Sequence, residues 1–283
     1  MFSADEIYQR VSATAVHEFQ RTPRMLWFSG LAAGLSIGLC FLGRMVLGGG
    51  TGRTGEPLGD LLFPLGFIVV VLGRYQLFTE NTLTPITLVL TRIASLPALL
   101  RLWSVVLGAN VVGAIVIGST FAIPGAVPTA AVEAGITIAE HVFETPLREV
   151  FVRAVLAGGL VASMVWMVHA MYDSAGRLLV IYLLAVIMPL AGMFHCVTSL
   201  VEVVFGVVKG VGGIGQAVRF FLATTAGNIV GGVVLVATIN YGQTRDRRAP
   251  NAHDRELGWR EFFLGYHTGR RGGDAVAPEL QHD

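Results

Sequence analysis

Leu77-Phe78-Thr79-Glu80-Asn81-Thr82-Leu83-Thr84-Pro85 interrupts an apolar stretch that runs from 61 to 91. A carboxylate, an amide, three threonines and a proline stand in its middle. Pro85 has no N–H and its ring clashes with the preceding turn, so a continuous helix through it is disfavoured. At membrane depth, irregular backbone is tolerated only where protein or a water-lined cavity satisfies it. The apolar remainder 86–91 is too short to cross a bilayer, and a half-helix dipping back in accounts for it. In the competing reading the span ends near 78 and the threonines cap a following helix, which leaves 86–91 without a role.

A second interruption is Gly192-Met193-Phe194-His195-Cys196-Val197-Thr198-Ser199-Leu200-Val201-Glu202. Ionisable groups inside apolar segments mark functional positions more often than not. The bland alternative for His195 is a packing residue bonded to a neighbouring helix. Thr198 and Ser199 follow within a turn and can serve backbone groups freed by a break. The breaks are thus expected near 79–85 and 195–200.

Around them the chain is apolar throughout. Of 283 residues 53% are hydrophobic and 14% charged, against about 25% charged in a typical soluble chain. The mean hydropathy is +0.66. A soluble single domain is excluded on that ground. A net charge of +1 without a long basic run speaks against nucleic-acid binding. Cys40 and Cys196 both lie in apolar runs, so neither a disulfide framework nor a cysteine metal site is expected. Six windows can hold the ~20 apolar residues that a crossing needs: 27–48, 61–90, 102–123, 150–171, 179–206 and 215–241. The broken ones are the second and the fifth. Corresponding interruptions in two three-helix halves point to an inverted repeat with a pathway between the breaks. The fold class is therefore all-α integral membrane, with six transmembrane helices.

Small residues recur at four-residue spacing: Gly30, Gly34 and Gly38; Ala154, Gly158 and Ala162; Gly227 and Gly231. Such stripes let helix backbones approach closely. Residues 1–26 carry Ile7, Val11, Val16 and Phe19 at near-helical spacing, which predicts an amphipathic helix on the membrane surface, ended or kinked by Pro23. Arginines 10, 21, 24, 92, 101, 177, 245, 247 and 248 collect on one side, so both termini are expected in the cytoplasm. The channel domain is 27–243. The tail 244–283 is expected to be partly disordered and to add almost nothing to the apolar core. Its cluster Trp259, Phe262, Phe263 and Tyr266 fits either the headgroups or the protein.

Four stretches together, in order and spacing, resemble the formate/nitrite transporters, aquaporin-like pentameric channels for small monovalent anions. They are PLGFIVVVLGRYQLFTENTLTP (64–85), VASMVWM (161–167) with SAGR (174–177), AGMFHCVTSL (191–200) and TAGNIVGG (225–232). The resemblance implies that His195 is the central pore histidine and that Leu77, Phe78 and Thr79 line the cytoplasmic mouth, Thr79 touching His195. It implies apolar constrictions at Phe63 and Phe67 and at Met188, with Asn228 a polar residue near the pore. A homopentamer in the bacterial inner membrane, carrying a small anion or its weak acid, follows from the same resemblance. No cofactor, metal or enzymatic activity does.

Five positions depart from the family pattern. Phe194 stands where a glutamate precedes the histidine, and Gly158 where an asparagine is usual. Glu80 replaces a small residue, Arg74 adds a charge, and the vestibule lysine has no counterpart, with His141 near its place. Losing polar partners at 194 and 158 leads us to expect a drier pore with a mostly neutral histidine. Two other readings are a pore for water, a neutral solute or hydrosulfide, and a polytopic protein without flux.

Overall fold

The computed structural model describes residues 2–50, 57–244 and 255–265. It is helical throughout, with no strand among the described residues. Helix α1 (Ala4–Gln20) opens on a capping box between Ser3 and Glu6. Four helices are long and apolar enough to cross a bilayer. The first is made of α2 (Pro23–Ser36) and α3 (Gly38–Gly50), joined at Ile37. The second and third are α6 (Leu96–Phe121) and α8 (Leu147–His169), and the fourth begins as α11 (Ile214–Val230). It then widens into a π-helical stretch, Gly231–Thr238, and closes with α12 (Ile239–Gln243).

Two further crossings are assembled from pieces. The first is α4 (Pro64–Leu72), an irregular stretch, a 3-10 turn over Glu80–Thr82 and α5 (Thr84–Leu90). The second is α9 (Ser174–Leu190), an irregular stretch and α10 (Cys196–Val208). Both spans expected to be broken are broken, but each break begins earlier than expected. The helix of the second span stops at Leu72, and Arg74 takes a left-handed φ of 53°. Pro85 sits in the first turn of α5, where a missing N–H does no harm, so it opens a half-helix instead of breaking one. The other break ends α9 at Leu190, with Gly192 left-handed at φ 62°, and Thr198 and Ser199 lie inside α10.

The two breaks obey one rule. Gly73, Arg74 and Tyr75 donate N–H bonds to the carbonyls of Val69, Val71 and Val70; Ala191, Gly192 and Met193 donate to Ile187, Pro189 and Met188. From the breaks onward, positions in the second half follow their counterparts by 118 residues, as Gly192 follows Arg74. The left-handed Arg92 and Gly210 keep that offset, as do the starts of α6 and α11. The chain is an internal repeat at the level of single hydrogen bonds.

The small-residue stripes pack the long helices in pairs, α2 on α6 and α8 on α11. A Cβ at Gly34 would lie 2.4 Å from the Asn110 carbonyl oxygen, and one at Gly158 would lie 2.3 Å from that of Asn228. Those are the same contact in the two halves. Helix α7 (Thr129–Glu144), placed in a connection by the sequence reading, was hidden by Glu133, Glu140 and Glu144 on its outer side. Its small residues Ala131, Ala134, Gly135 and Ala139 are buried, and it packs on α3 and α10.

Helix α1 buries Ile7, Val11 and Val16 and packs on α5, α8 and α12, so its apolar face meets protein. The tail also departs from expectation. Leu257 and Phe262 are buried in a cluster with Ile93, Ala94 and Leu99. The Leu257 N–H donates to the Arg92 carbonyl at 2.8 Å, and Arg92 pairs with Glu256. These two apolar side chains cover the corner before α6. Helix α13 (Trp259–Leu264) leaves Trp259 and Phe263 exposed; Tyr266 and the expected disorder fall outside the described residues.

Gly34→Ala and Gly158→Ala should each lower the melting temperature in detergent markedly, since overpacking a tight contact costs about 1–3 kcal/mol or more. Gly215→Ala, with no atom within 4 Å of the added Cβ, should not.

Candidate permeation site

The irregular stretches leave backbone groups without helical partners, and two asparagines take them up. Asn110, on α6, accepts from the Phe78 N–H at 2.8 Å and donates to the carbonyls of Gln76 (2.9 Å) and Gly30 (2.8 Å). Asn228, on α11, accepts from the Cys196 N–H at 2.8 Å and donates to the carbonyls of Phe194 (3.1 Å) and Ala154 (2.7 Å). Both are fully buried. Each amide spends its one acceptor and two donors on the same pattern, gripping the residues on either side of Leu77 in one half and of His195 in the other.

The grip presents His195 to Thr79. Their side chains meet at 2.6 Å, His195 Nε2 to Thr79 Oγ1, and both are buried. His195 also caps α10, its Nδ1 accepting from the Thr198 N–H at 3.2 Å. An acceptor nitrogen carries no proton, so the neutral ring is protonated on Nε2 and donates to Thr79. Phe67 lies edge-on to the imidazole, ring centroids 5.2 Å apart, and Phe63 follows at 5.8 Å from Phe67.

Two cavities approach this pair from opposite ends of the first long helix. One, about 820 Å³, is lined by Met25 from its start and by Gln76, Glu80 and Thr84 around the first break. The other, about 430 Å³, is lined by Arg44 from its far end and by Phe63, Phe194, Thr198 and Glu202. Met188 and Leu77 are buried in the core and line neither cavity. Phe78 is turned away, edge-on to Trp103 at 5.5 Å, and Asn228 serves backbone without lining either cavity. The structure thus brings Thr79, His195, Phe63 and Phe67 together and sets Phe78 and Asn228 behind them.

A model of the formate/nitrite transporter family matches residues 5–242. The chain belongs to that family. An inner membrane protein of Escherichia coli K12, YfdC, is 31% identical over 247 residues, 85% of this chain and 78% of its own length. The formate channel FocA of Haemophilus influenzae is 27% identical over 252 residues, 79% of this chain and 88% of its own. Two solved structures share the fold. An ion channel of the family covers 84% of this chain and 99% of its own with a TM-score of 0.74 at 20% identity. A pentameric formate channel with formate bound covers 81% and 97%, with a TM-score of 0.62 at 23% identity. The protein is a membrane transporter of this family, and the family is one of channels and transporters, not enzymes.

Family membership sharpens the departures. Gly158 meets the Asn228 backbone and not the histidine, so the expected loss of a polar neighbour of His195 at 158 is corrected: an added side chain there would break the helix pair. The Phe194 ring packs edge-on to Phe220 at 5.3 Å and 5.9 Å from the Arg153 guanidinium. Asn110 was missed by the sequence reading. Its signal is the repeat itself, Asn110-Val111-Val112-Gly113 against Asn228-Ile229-Val230-Gly231.

At the first cavity, Glu18 on α1 is buried, accepting from Thr84 Oγ1 (2.7 Å) and Asn81 Nδ2 (3.2 Å). Burial outweighs those bonds and raises its carboxyl from an ordinary 4.5 to about 7. A raised carboxyl favours the folded state while protonated, so this contribution is present at acid pH and fades between about pH 4.5 and 7. Melting in detergent should show wild type losing stability from pH 5 to 8 relative to Glu18→Gln. Asn110→Ala and Asn228→Ala each strand two buried backbone groups of an irregular stretch, at about 1–3 kcal/mol per group, and lose a further bond to a helix carbonyl. Both should prevent recovery of a folded, monodisperse protein from membranes.

Proposed function

We propose that the protein is a channel for small monovalent anions that pass its constriction as weak acids, with formate and nitrite setting the size class. The observation that carries this reading is the buried Thr79–His195 pair, set between two cavities with aromatic rings on one side. A bare anion in a dry constriction meets an idealised Born penalty of tens of kcal/mol, which protonation largely removes. His195 Nε2 and the Thr79 hydroxyl can each donate to a small acid that slips between them. A charged imidazole would need a proton on Nδ1, the atom that caps α10, so the ring acts as a neutral donor. The formate bound in the similar pentameric channel supports the substrate class and a homopentamer. The name of the Escherichia coli relative supports an inner-membrane location, and the arginine distribution supports cytoplasmic termini.

A pore for a neutral solute is the competing reading, favoured by the surplus of acid at the smaller cavity. Uptake of formate, nitrite and a neutral solute of similar size into proteoliposomes between pH 5 and 8 separates the two. His195→Asn keeps a side-chain acceptor for the Thr198 N–H, and asparagine is a favoured N-cap, so this variant should assemble. Its formate flux should fall several-fold while the pH slope, which belongs to the permeant acid, persists. A flat pH profile in the variant would make the imidazole the proton source. Conduction of the neutral solute alone would overturn the weak-acid reading.

A further inference from the structure

The two cavities share one frame and carry opposite charge. Gln76, Glu80 and Thr84 line the first; their counterparts 118 residues on, Phe194, Thr198 and Glu202, line the second. What differs is the charge brought to that frame. The first cavity carries the guanidiniums of Arg10, Arg21, Arg74 and Arg177 against the carboxylates of Glu18 and Glu80. Among the described residues none of these four arginines forms an ion pair. Arg74 even occupies a left-handed position, φ 53°, where the other half has Gly192. In the second cavity Arg44 faces two acids and is bonded by both, Nε to Asp60 at 2.7 Å and Nη1 to Glu202 at 2.6 Å. Counting these side chains as ionised, the first cavity holds two cations in excess and the second one anion in excess. His17 and His169 line the first and His141 the second.

We propose that the pore is electrically polarised: the cavity beside α1 collects the permeant anion, and the opposite cavity excludes it and admits only the uncharged acid. This rests on the weak-acid reading above and adds to it which form of the substrate each face handles. The physical basis is focusing of the field in a mouth with low-dielectric walls, which changes local ion concentration roughly three- to tenfold per unit charge. A passive pore has equal Vmax/KM from its two faces at equal pH and zero potential. The asymmetry therefore appears as a low KM with a low Vmax on the α1 face, and a high KM with a high Vmax on the other.

Formate is the probe, with initial rates measured from each face of the full-length protein in oriented proteoliposomes. At about 10 mM ionic strength the KM from the α1 face should be at least tenfold the lower. At about 1 M salt, where the screening length is ~3 Å, the gap should close. Glu202→Gln keeps a hydrogen-bonding group for Arg44 and should lower the KM of the far face several-fold, leaving that of the α1 face unchanged. Asp60→Asn, at the rim of the same cavity, should act in the same direction and stands in if Glu202→Gln fails to fold. Equal KM values from both faces at low salt, or variants that shift both faces alike, overturn the polarity and leave the channel standing. Absence of formate flux from either face overturns both.

Discussion

Two amide side chains, Asn110 and Asn228, carry the centre of this molecule. In a bilayer a backbone group without a partner has no water to turn to, and each one stranded costs several kcal/mol. A helix avoids the problem by bonding to itself; a helix broken at membrane depth creates it. Asparagine is suited to the repair because its side chain carries the donor and acceptor chemistry of a peptide group on a short stem. Placed on a straight neighbouring helix, it completes the bonds of a strand-like segment and a helix edge at once. The breaks exist because these two side chains make them affordable, and the exposure of Thr79 and His195 to each other follows.

The rest of the packing serves the same end. For Asn110 to reach the Gly30 carbonyl, α2 and α6 must lie almost backbone to backbone, and only glycine at 34 and 113 permits that approach. Gly158 and Gly231 do so for Asn228. Stripe and amide are thus one device used twice. The π-helical stretch after Gly231 belongs to it too: Gly232 lies so close to Thr82 that a Cβ would sit 1.9 Å from its hydroxyl oxygen, and Thr82 in turn bonds the Thr79 carbonyl at 2.7 Å.

Onto this symmetric frame the two halves have placed unlike side chains. Leu77 occupies the position that His195 holds in the other half, and Arg74 that of Gly192. Symmetry fixes the backbone, which both halves need in order to satisfy the same bonds. It leaves the other side chains free to diverge, because they do not carry the bonds that hold the breaks. That freedom is used at Glu80, Arg74 and Phe194, whose counterparts 118 residues away are Thr198, Gly192 and Gln76, whereas Gly158 belongs to the frame.

The sequence by itself determined the class of the protein, the number of crossings and which two are broken, because bilayer thickness and backbone satisfaction act locally and leave a mark within some twenty residues. It also pointed to His195, an ionisable group in an apolar run. It did not determine where each break begins: the helix ends close on local bonds through a left-handed residue, and the segments beyond them are held open by asparagines on another helix. Asn110 looked like one polar residue in an apolar helix until the segment 76–78 came to lie against it. Helix α7 and the docking of Leu257 and Phe262 were invisible for a related reason: their apolar faces are short and find their partners only across the fold. Cavity charge was decided last of all, by Arg10, Arg21, Arg177 and Glu18 from distant segments. Charges far apart in sequence sum into one field only when the tertiary structure brings them to one mouth.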